Sequence, residues 1–340
     1  ETLTYYGSGK YLRDYIHIQD LTMAVQSIMK LLPFDGQRNL TLATGKRLTV
    51  WTGSTLTLDS SLSGTYIHIN GNVTQGANKI TATRQLSQSG GTFTGGTDTI
   101  YTANIFSQKG GIFVSTSSGL VVAGNFVRTA GSFTHNNGTI VFAPFSAATQ
   151  TITTNNATFF NATFSAIDSS AGVTTFADNF VVTNTLTVQK ASGSSTRTYT
   201  GAGTIIQAQG NVVVTNTAAG AATFGNTTTT LKLTGTANQT IWRSGATFTP
   251  QIVVAKTNGT VTLSGSVTLA ASTDLIMTGG TLNLTKGLTE QSFLNLNGGG
   301  LKAGAEMVGT GAHQCLPSGC FAPSFFGAGG VLRRFSSGNS

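Results

Sequence analysis

The chain has 340 residues, of which 9% are charged and 39% are hydrophobic, and it contains 43 glycines but only 5 prolines. This hydrophobic content argues against long disorder, and abundant glycine with little proline is typical of β-structure with many tight turns. The formal net charge is +8 at pH 7, yet the Lys and Arg residues are scattered and form no basic stripe with interleaved aromatic residues. We therefore expect no nucleic-acid partner. No stretch of about 18 apolar residues occurs, so we also expect no membrane span.

Residues 1–50 combine one predicted helix with short predicted strands. Ile18–Leu32 carries apolar side chains at the i, i+3, i+4, i+7 spacing of an amphipathic helix, and Asp20 lies near its start. Pro33 stops this helix, because proline cannot continue a helical hydrogen-bond pattern. The flanking segments Leu12–His17 and Asn39–Leu42 have the pattern of short strands. The sequence therefore predicts a small α/β segment at the N-terminus.

Three motifs in this segment carry a family resemblance. They are Tyr6-Gly7-Ser8-Gly9-Lys10, Arg13-Asp14-Tyr15-Ile16-His17-Ile18-Gln19-Asp20-Leu21 and Leu42-Ala43-Thr44-Gly45-Lys46. In this order and spacing they resemble the C-terminal, substrate-binding part of NAD-dependent nucleotide-sugar epimerases and dehydratases, which are extended short-chain dehydrogenases. The resemblance implies that Arg13 contacts the diphosphate of a sugar nucleotide, beside a substrate-binding loop that contains Gly7 and Gly9.

The segment lacks the parts that this family needs for catalysis. No strand with a G-x-x-G-x-x-G turn precedes it, so we expect no dinucleotide cofactor. Tyr6 and Lys10 have the spacing of the family's catalytic pair, but Gly7 and Gly9 between them disfavour the helix that the pair requires. Two interpretations of residues 1–50 follow: a truncated epimerase-like fragment fused to a repeat, or an N-terminal cap for the structure that comes after it.

Residues 51–300 form a repeat region of short strands. Gly90-Gly91-Thr92-Phe93, Gly110-Gly111-Ile112-Phe113 and Ala130-Gly131-Ser132-Phe133 recur every twenty residues. This period predicts a right-handed parallel β-helix, a solenoid in which each repeat forms one coil. A longer echo, of 86 to 89 residues, relates Gly124-Asn125-Phe126 to Gly210-Asn211-Val212. It favours the alternative of tandem β-sandwich modules.

Residues 301–340 form a third, Gly-rich region, a C-terminal cap or tail without clear periodicity. Cys315 and Cys320 lie in it, and they form either a small disulfide loop or two separate thiols. His313 is the only additional metal ligand near them, and a zinc site needs four ligands. We therefore predict no metal site.

The repeat region contains no recognisable catalytic group. Its acidic residues are spread singly, and no pair is marked as a general acid and base: Asp59, Asp98, Asp168, Asp178, Asp274 and Glu290. His68 alternates with Ile67 and Ile69 in a predicted strand, and both His68 and His135 are predicted to be outward-facing polar positions. The Thr-x-Thr pairs raise the alternative of an ice-binding solenoid, but they do not keep one coil spacing along the sequence: Thr55/Thr57, Thr81/Thr83, Thr151/Thr153, Thr185/Thr187, Thr247/Thr249 and Thr260/Thr262.

The sequence as a whole predicts a non-catalytic, extracellular or cell-surface repeat protein of structural or adhesin-like type. The region 51–300 weakly resembles repetitive bacterial cell-surface and adhesin-like proteins, and this resemblance implies surface polysaccharide or other cell-surface proteins as partners. Two enzyme alternatives remain, a truncated epimerase or dehydratase and a β-helix carbohydrate-active enzyme. The chain begins at Glu1, so we expect a fragment or a processed product, from which any signal peptide has been lost. The sequence contains no signal for a particular oligomeric state.

Overall fold

The computed structural model describes most of the region between Arg47 and Gly309. The described residues are 15–16, 40–41, 47–144, 149–166, 171–190, 193–265, 267–268, 274–285, 288–290, 294–303 and 307–309. They contain strands and no helix. The predicted helix Ile18–Leu32 lies outside them. The chain divides into two compact units, Glu1–Gly138 and Thr139–Ser340.

The first unit contains twelve described strands. They are β1 (Tyr15–Ile16), β2 (Leu40–Thr41), β3 (Arg47–Val50), β4 (Thr55–Thr57), β5 (Leu62–Ile69), β6 (Asn72–Thr74), β7 (Ile80–Gln88), β8 (Thr92–Thr94), β9 (Ile100–Thr102), β10 (Ile105–Val114), β11 (Gly119–Val122) and β12 (Asn125–Thr134).

The second unit contains the remaining eighteen described strands. They are β13 (Thr139–Phe142), β14 (Gln150–Thr153), β15 (Thr158–Ala166), β16 (Gly172–Phe176), β17 (Phe180–Lys190), β18 (Arg197–Thr200), β19 (Ile205–Ala208), β20 (Asn211–Asn216), β21 (Ala222–Phe224), β22 (Thr230–Leu233), β23 (Gln239–Ser244), β24 (Thr247–Phe248), β25 (Gln251–Leu263), β26 (Val267–Thr268), β27 (Leu275–Leu284), β28 (Leu288–Glu290), β29 (Leu294–Ala303) and β30 (Met307–Gly309).

In each unit the strands stack in parallel on their equivalents one coil away, and both units are β-solenoids. In the first unit Thr92 pairs with Ile112, and Ile112 pairs with Ser132, which is the predicted twenty-residue period. In the second unit Thr260 pairs with Thr281, a period of twenty-one. The predicted parallel β-solenoid is therefore confirmed, and the alternative of tandem β-sandwiches is wrong for the described residues, because sandwiches need antiparallel sheets.

The N-terminal strands β1 and β2 also join the solenoid pattern. Tyr15 pairs in parallel with Arg47, and Leu40 pairs in parallel with Leu62. These pairings lie within the predicted strands Leu12–His17 and Asn39–Leu42. Two short pieces of the first fifty residues therefore hydrogen-bond to the first coils.

Apolar side chains fill the interior as stacks that run from coil to coil. In the first unit, Phe93 and Phe113 stack with ring centroids 4.6 Å apart, and Phe106 and Phe126 stack at 4.9 Å. In the second unit, Phe142 and Phe164 stack at 5.1 Å. These rings lie in the core because alternate strand residues face inward, and an offset stack of aromatic rings buries large apolar areas at each coil step.

One corner of the first unit is built from glycine pairs and buried polar side chains. The chain turns at Gly90-Gly91 and Gly110-Gly111, and Gly91 and Gly111 have positive φ angles of 60° and 76°. Gln88 and Gln108 lie just before these turns with their side chains inside. The Gln88 Nε2 donates to Ile112 O at 2.9 Å, and one coil later the Gln108 Nε2 donates to Ser132 O at 2.8 Å.

Arg128 occupies the same position in the next coil, as the register Gln88–Gln108–Arg128 requires. Its Nε donates to Gln108 Oε1 at 2.6 Å, and its Nη2 donates to Gly131 O at 3.0 Å. We call these three residues the polar ladder. Because buried amide and carbonyl groups are costly when unpaired, the ladder stabilises a corner whose carbonyls would otherwise lack donors.

The coils of the second unit vary in length. Ala162 pairs with Leu186, and Leu186 pairs with Val212, so successive coils are 24 and 26 residues long. Their strands still stack in parallel, with a register shift between Phe159 and Asn161, so the extra residues lie both in turns and within strands. In the described residues, no helix is long and apolar enough to cross a membrane.

Candidate functional site

The most distinctive outer surface of the first unit lies on strands β3, β5, β7 and β10. The parallel register places Arg47, Tyr66 and Gln85 in one outward column. His68, Ser87 and Ser107 form the neighbouring column. The residues between the columns, such as Ile67 and Leu86, are buried in the core. This alternation brings polar side chains from four successive coils onto one face.

These columns enclose a half-open depression of about 200 Å³, which we call the basic depression. Arg47 lines one end and Lys109 lies three coils away, while the rings of Tyr66 and His68 lie between them. The other lining side chains carry amide or hydroxyl groups. Among the described residues that line the depression, none is Asp or Glu. The described lining is therefore positively charged.

His68 is held in place through both ring nitrogens. Its Nδ1 lies 2.9 Å from Ser87 Oγ, and its Nε2 lies 3.1 Å from Ser89 Oγ. Burial lowers the pKa of His68 below its ordinary value of 6.5, and the charges of Arg47 and Lys109 lower this pKa further. A neutral imidazole has one donor and one acceptor, and a serine hydroxyl can serve as either partner. The histidine is therefore a fixed, neutral ring at pH 7.

Tyr66 lies between two guanidinium groups. The Cζ of Arg47 is 5.7 Å from the centroid of the Tyr66 ring, within the range of a cation–π contact. The Nη1 of Arg84 donates a hydrogen bond to the Tyr66 hydroxyl at 3.3 Å. These contacts place a third cation beside the basic depression and fix the phenol ring in its column.

The depression holds serine and histidine, but its arrangement favours binding over nucleophilic catalysis. In a serine-based triad, a buried carboxylate orients the histidine and stabilises its charged form. Here serine hydroxyls occupy both sides of the His68 ring, and neighbouring cations disfavour the charged imidazolium. A surface of this kind can attract and orient an anionic or hydroxyl-rich ligand.

Two of the predicted single acids serve in turns. The carboxylate of Asp178 accepts hydrogen bonds from the backbone N–H of Thr154 at 2.8 and 3.0 Å and from that of Asn155 at 2.7 Å. Asn155 and Asn156 both have positive φ, so this carboxylate stabilises a tight turn. The Asp98 carboxylate accepts from the N–H of Thr99. No group of three or more potential metal ligands occurs among the described residues.

The site residues that were predicted by family resemblance cannot be placed. Arg13, Gly7 and Gly9 lie outside the described residues, as do Cys315 and Cys320. His68 and His135 are both partly exposed, in agreement with their predicted outward positions, and His135 lies just after β12. Sequence reasoning missed the basic depression, because Arg47 and Lys109 are distant in the chain and only the coil register brings them to one surface.

A second outer surface lies in the second unit, and we call it the threonine face. Thr151, Thr175 and Thr200 are paired from coil to coil in one column. The adjacent column contains Val173, Thr198, Thr223 and Thr247. Two of the predicted Thr-x-Thr pairs contribute to this face, one through Thr151 and the other through Thr247. The pairs Thr185/Thr187 and Thr260/Thr262 stack on other residues.

No protein-family model matches this chain, and comparison with curated proteins and with solved structures also finds no match.

Proposed function

We propose that this chain is a non-catalytic structural or adhesin-like repeat protein, located outside the cell or on its surface, which contacts polysaccharide or other cell-surface proteins. One observation carries the proposal: the outward side chains form polar columns in register over a core filled by stacked apolar residues. Packed side chains fill the interior, so other molecules make contact at the outer faces. Regular columns repeat the same groups at about 4.8 Å per coil, which suits many weak contacts with a repetitive partner.

The use of the acidic residues supports a non-catalytic role. Glycoside hydrolysis by the usual route needs two carboxyl groups that face one substrate bond. Asp178 is engaged by three hydrogen bonds from two backbone N–H groups, and Asp98 accepts from its neighbour. These carboxylates stabilise turns, which accounts for their presence without a reaction.

The N-terminal residues 1–50 fit this proposal as a cap. An open solenoid end exposes unpaired strand edges, which promote aggregation. The pairing of Tyr15 with Arg47 and of Leu40 with Leu62 supports covering by this segment. The epimerase-like alternative stays a prediction.

The proposed function is tested by binding and turnover in one experiment. Purified chain is incubated with beads that carry a panel of bacterial capsule and cell-wall polysaccharides, and both bound protein and newly released reducing ends are measured. We expect retention on at least one polysaccharide without release of reducing ends. Release that Asp59→Asn or Asp274→Asn abolishes would overturn the non-catalytic assignment. Absence of retention on the whole panel would overturn the polysaccharide contact.

Surface location is tested separately on intact cells that produce the protein. A membrane-impermeant amine reagent should label exposed lysines such as Lys79 and Lys109. Labelling only after cell lysis would contradict the surface assignment.

The threonine face favours a second candidate function, ice binding. Its methyl and hydroxyl groups repeat at about 4.8 Å along the columns and about 6.6 Å between them, on strands that fix their positions. Ice binding predicts thermal hysteresis, which Thr198→Tyr and Thr223→Tyr should reduce. The control Thr187→Tyr, on a strand outside the threonine face, should leave the hysteresis unchanged. Absence of thermal hysteresis in the unmodified chain would remove this candidate.

A further inference from the structure

The charges around the basic depression select the class of ligand. Arg47 and Lys109 line it, and Arg84 reaches its Tyr66 hydroxyl. Asp59 and Asp98, the acidic residues among the described side chains of this unit, do not line it. Clustered cations without lining carboxylates create a positive potential that attracts anions and speeds their association. The two cations also lie near enough to His68 to affect its titration, so they act on the same small volume.

The strands that carry the two cations are separated by the strands of Tyr66 and Gln85. Arg47 is one coil before Tyr66, Gln85 is one coil after it, and the strand of Lys109 is the next coil. Three coil steps correspond to about 14 Å at the usual distance between neighbouring strands. A ligand that follows this face from the strand of Arg47 to the strand of Lys109 therefore extends along the stacking direction, and a negative charge at each end lets it pair with both cations.

The groups between the cations match a saccharide. The side chains of Gln85, Ser87 and Ser89 and the Tyr66 hydroxyl supply both donors and acceptors, which sugar hydroxyls can use in either direction. Single-stranded nucleic acid needs exposed aromatic faces for base stacking. Tyr66 is the aromatic residue of this lining other than His68, and Arg47 already covers its face. An acidic saccharide therefore fits the depression better than a nucleic acid.

We propose that the basic depression binds a segment of an acidic polysaccharide, with carboxylates of the sugar chain at Arg47 and Lys109 and sugar hydroxyls on the side chains between them. This inference rests on the proposed surface function and specifies its ligand class. A guanidinium group can hold a carboxylate through two parallel hydrogen bonds, while Lys109 acts as a point charge. The chain of sugars lies along the stacking direction, across successive coils.

The test uses the full chain and a hexamer of galacturonic acid, with affinity measured by titration calorimetry at low and physiological salt. Binding should be detectable, should weaken as salt is raised, and should disappear when the hexamer carboxylates are methyl-esterified. Lys109→Gln and Arg47→Gln should each weaken binding about threefold to fivefold, as expected for exposed charge pairs. Lys79→Gln and Lys232→Gln, which change cations outside the depression, should leave the affinity unchanged.

The possible outcomes separate this inference from the broader proposal. Hexamer binding that is equal in all four variants would overturn the basic depression as the site, as would tighter binding of a single-stranded oligonucleotide than of the hexamer. Retention of the chain on neutral polysaccharides without hexamer binding would overturn the acidic ligand and leave the proposed surface function standing. Circular dichroism of each variant checks the fold, and Lys109 is exposed, so its replacement should not disturb the core.

Discussion

Lys256 is a buried cation whose ammonium group is stabilised by oxygen atoms of a turn and of the next strand. The Nζ of Lys256 donates to Thr234 O at 3.2 Å, to Gly235 O at 3.2 Å, to Ala237 O at 2.8 Å and to Gln239 Oε1 at 2.6 Å. Burial lowers the pKa of Lys256. In the polar ladder of the first unit, the side chains of Gln88, Gln108 and Arg128 likewise donate hydrogen bonds to backbone carbonyls. A residue that spans from a strand end to a turn thus replaces water for several carbonyls at once.

The ladder gives a sharp prediction at position 128. Arg128→Met should lower the free energy of unfolding by about 2–4 kcal/mol, because Gln108 Oε1 and Gly131 O lose buried donors. Arg128→Gln should cost less than about 1 kcal/mol, since glutamine fills the same position at Gln108. Arg84→Met, at an exposed arginine, should stay within about 0.5 kcal/mol. Urea denaturation measures all three, and equal losses for Met and Gln would contradict the ladder.

The stability of the fold should depend on the ionisation of His68. Its pKa is lowered by burial and by Arg47 and Lys109, so the unfolded chain binds the proton more strongly than the folded chain. Stability is therefore complete above the ordinary pKa of 6.5 and is lost as the pH falls below it, until the folded-state pKa is passed. The urea midpoint should decrease over this range, and less so in His68→Gln. His135, whose pKa burial also lowers, keeps a residual slope. A steeper slope in the variant would contradict the assignment.

At the scale of single elements, adjacent coils lie so close at the Gly90-Gly91 and Gly110-Gly111 corner that a side chain has little room. A Cβ atom added at Gly111 would lie 2.5 Å from Gly91 O and 2.6 Å from Gly90 O, and the φ of Gly111 is +76°. A Cβ atom added at Gly119 or at Gly53 would have no neighbouring atom within 4 Å, although Gly53 has a φ of +80°. Gly111 therefore combines close approach of neighbouring atoms with backbone strain, Gly53 has the strain alone, and Gly119 has neither.

The corner predicts a graded series of alanine variants. Gly111→Ala should destabilise most, by about 3 kcal/mol, because it adds a steric clash to strain; Gly53→Ala should cost about 1 kcal/mol from strain alone. Gly119→Ala has neither problem and should be neutral or slightly stabilising, through the lower entropy of the unfolded chain. Thermal unfolding ranks the three variants. A Gly111→Ala variant as stable as Gly119→Ala would show that the corner tolerates a side chain.

The element pattern was largely predictable, whereas the basic depression was not. The Gly-Gly corners and Phe93, Phe113 and Phe133 recur every twenty residues, so stacking in parallel follows from the sequence alone. The ladder positions 88, 108 and 128 share this spacing and were a usable signal. The depression depends on coils of different length: Arg47 pairs with Tyr66, nineteen residues on, and Gln85 pairs with Ile105, twenty residues on. Without the pairing register of the strands, the sequence spacing alone does not show that Arg47 and Lys109 share a surface or that the threonine face is aligned.

At the scale of the whole molecule, each coil contacts mainly its neighbours. Stability of such a repeat is close to a sum of coil terms and interface terms between adjacent coils. Strands stack in parallel although coil lengths differ, because added residues lie in turns or in local register shifts of the strands. A change of length should therefore be tolerated when it removes one complete coil and rejected when it removes part of one.

Coil deletion in the first unit tests this additivity. Deleting residues 105–124 joins Asn104 to Asn125, which is the register partner of Ile105. Strand β12 then stacks on β7, since Gln85 is the partner of Ile105 in the preceding coil. We expect a β-type circular dichroism spectrum and a cooperative melt. Deleting residues 105–114 removes half a coil, shifts the corners and should abolish cooperative unfolding. Equal behaviour of the two deletions would contradict coil-by-coil stacking.

The inward position of several basic side chains has a consequence for proteolysis. Arg128 and Lys256 are 3% exposed, and Lys190 and Arg197 are completely buried, whereas Lys79 and Lys109 lie outside. Trypsin must draw a Lys or Arg side chain into its own acidic pocket before it cuts. The bonds after the buried residues therefore become substrates only when their coils open, and the peptides released report where opening begins. Arg128 and Lys256, which bind turn carbonyls, thereby also keep their own peptide bonds from one of the commonest types of protease.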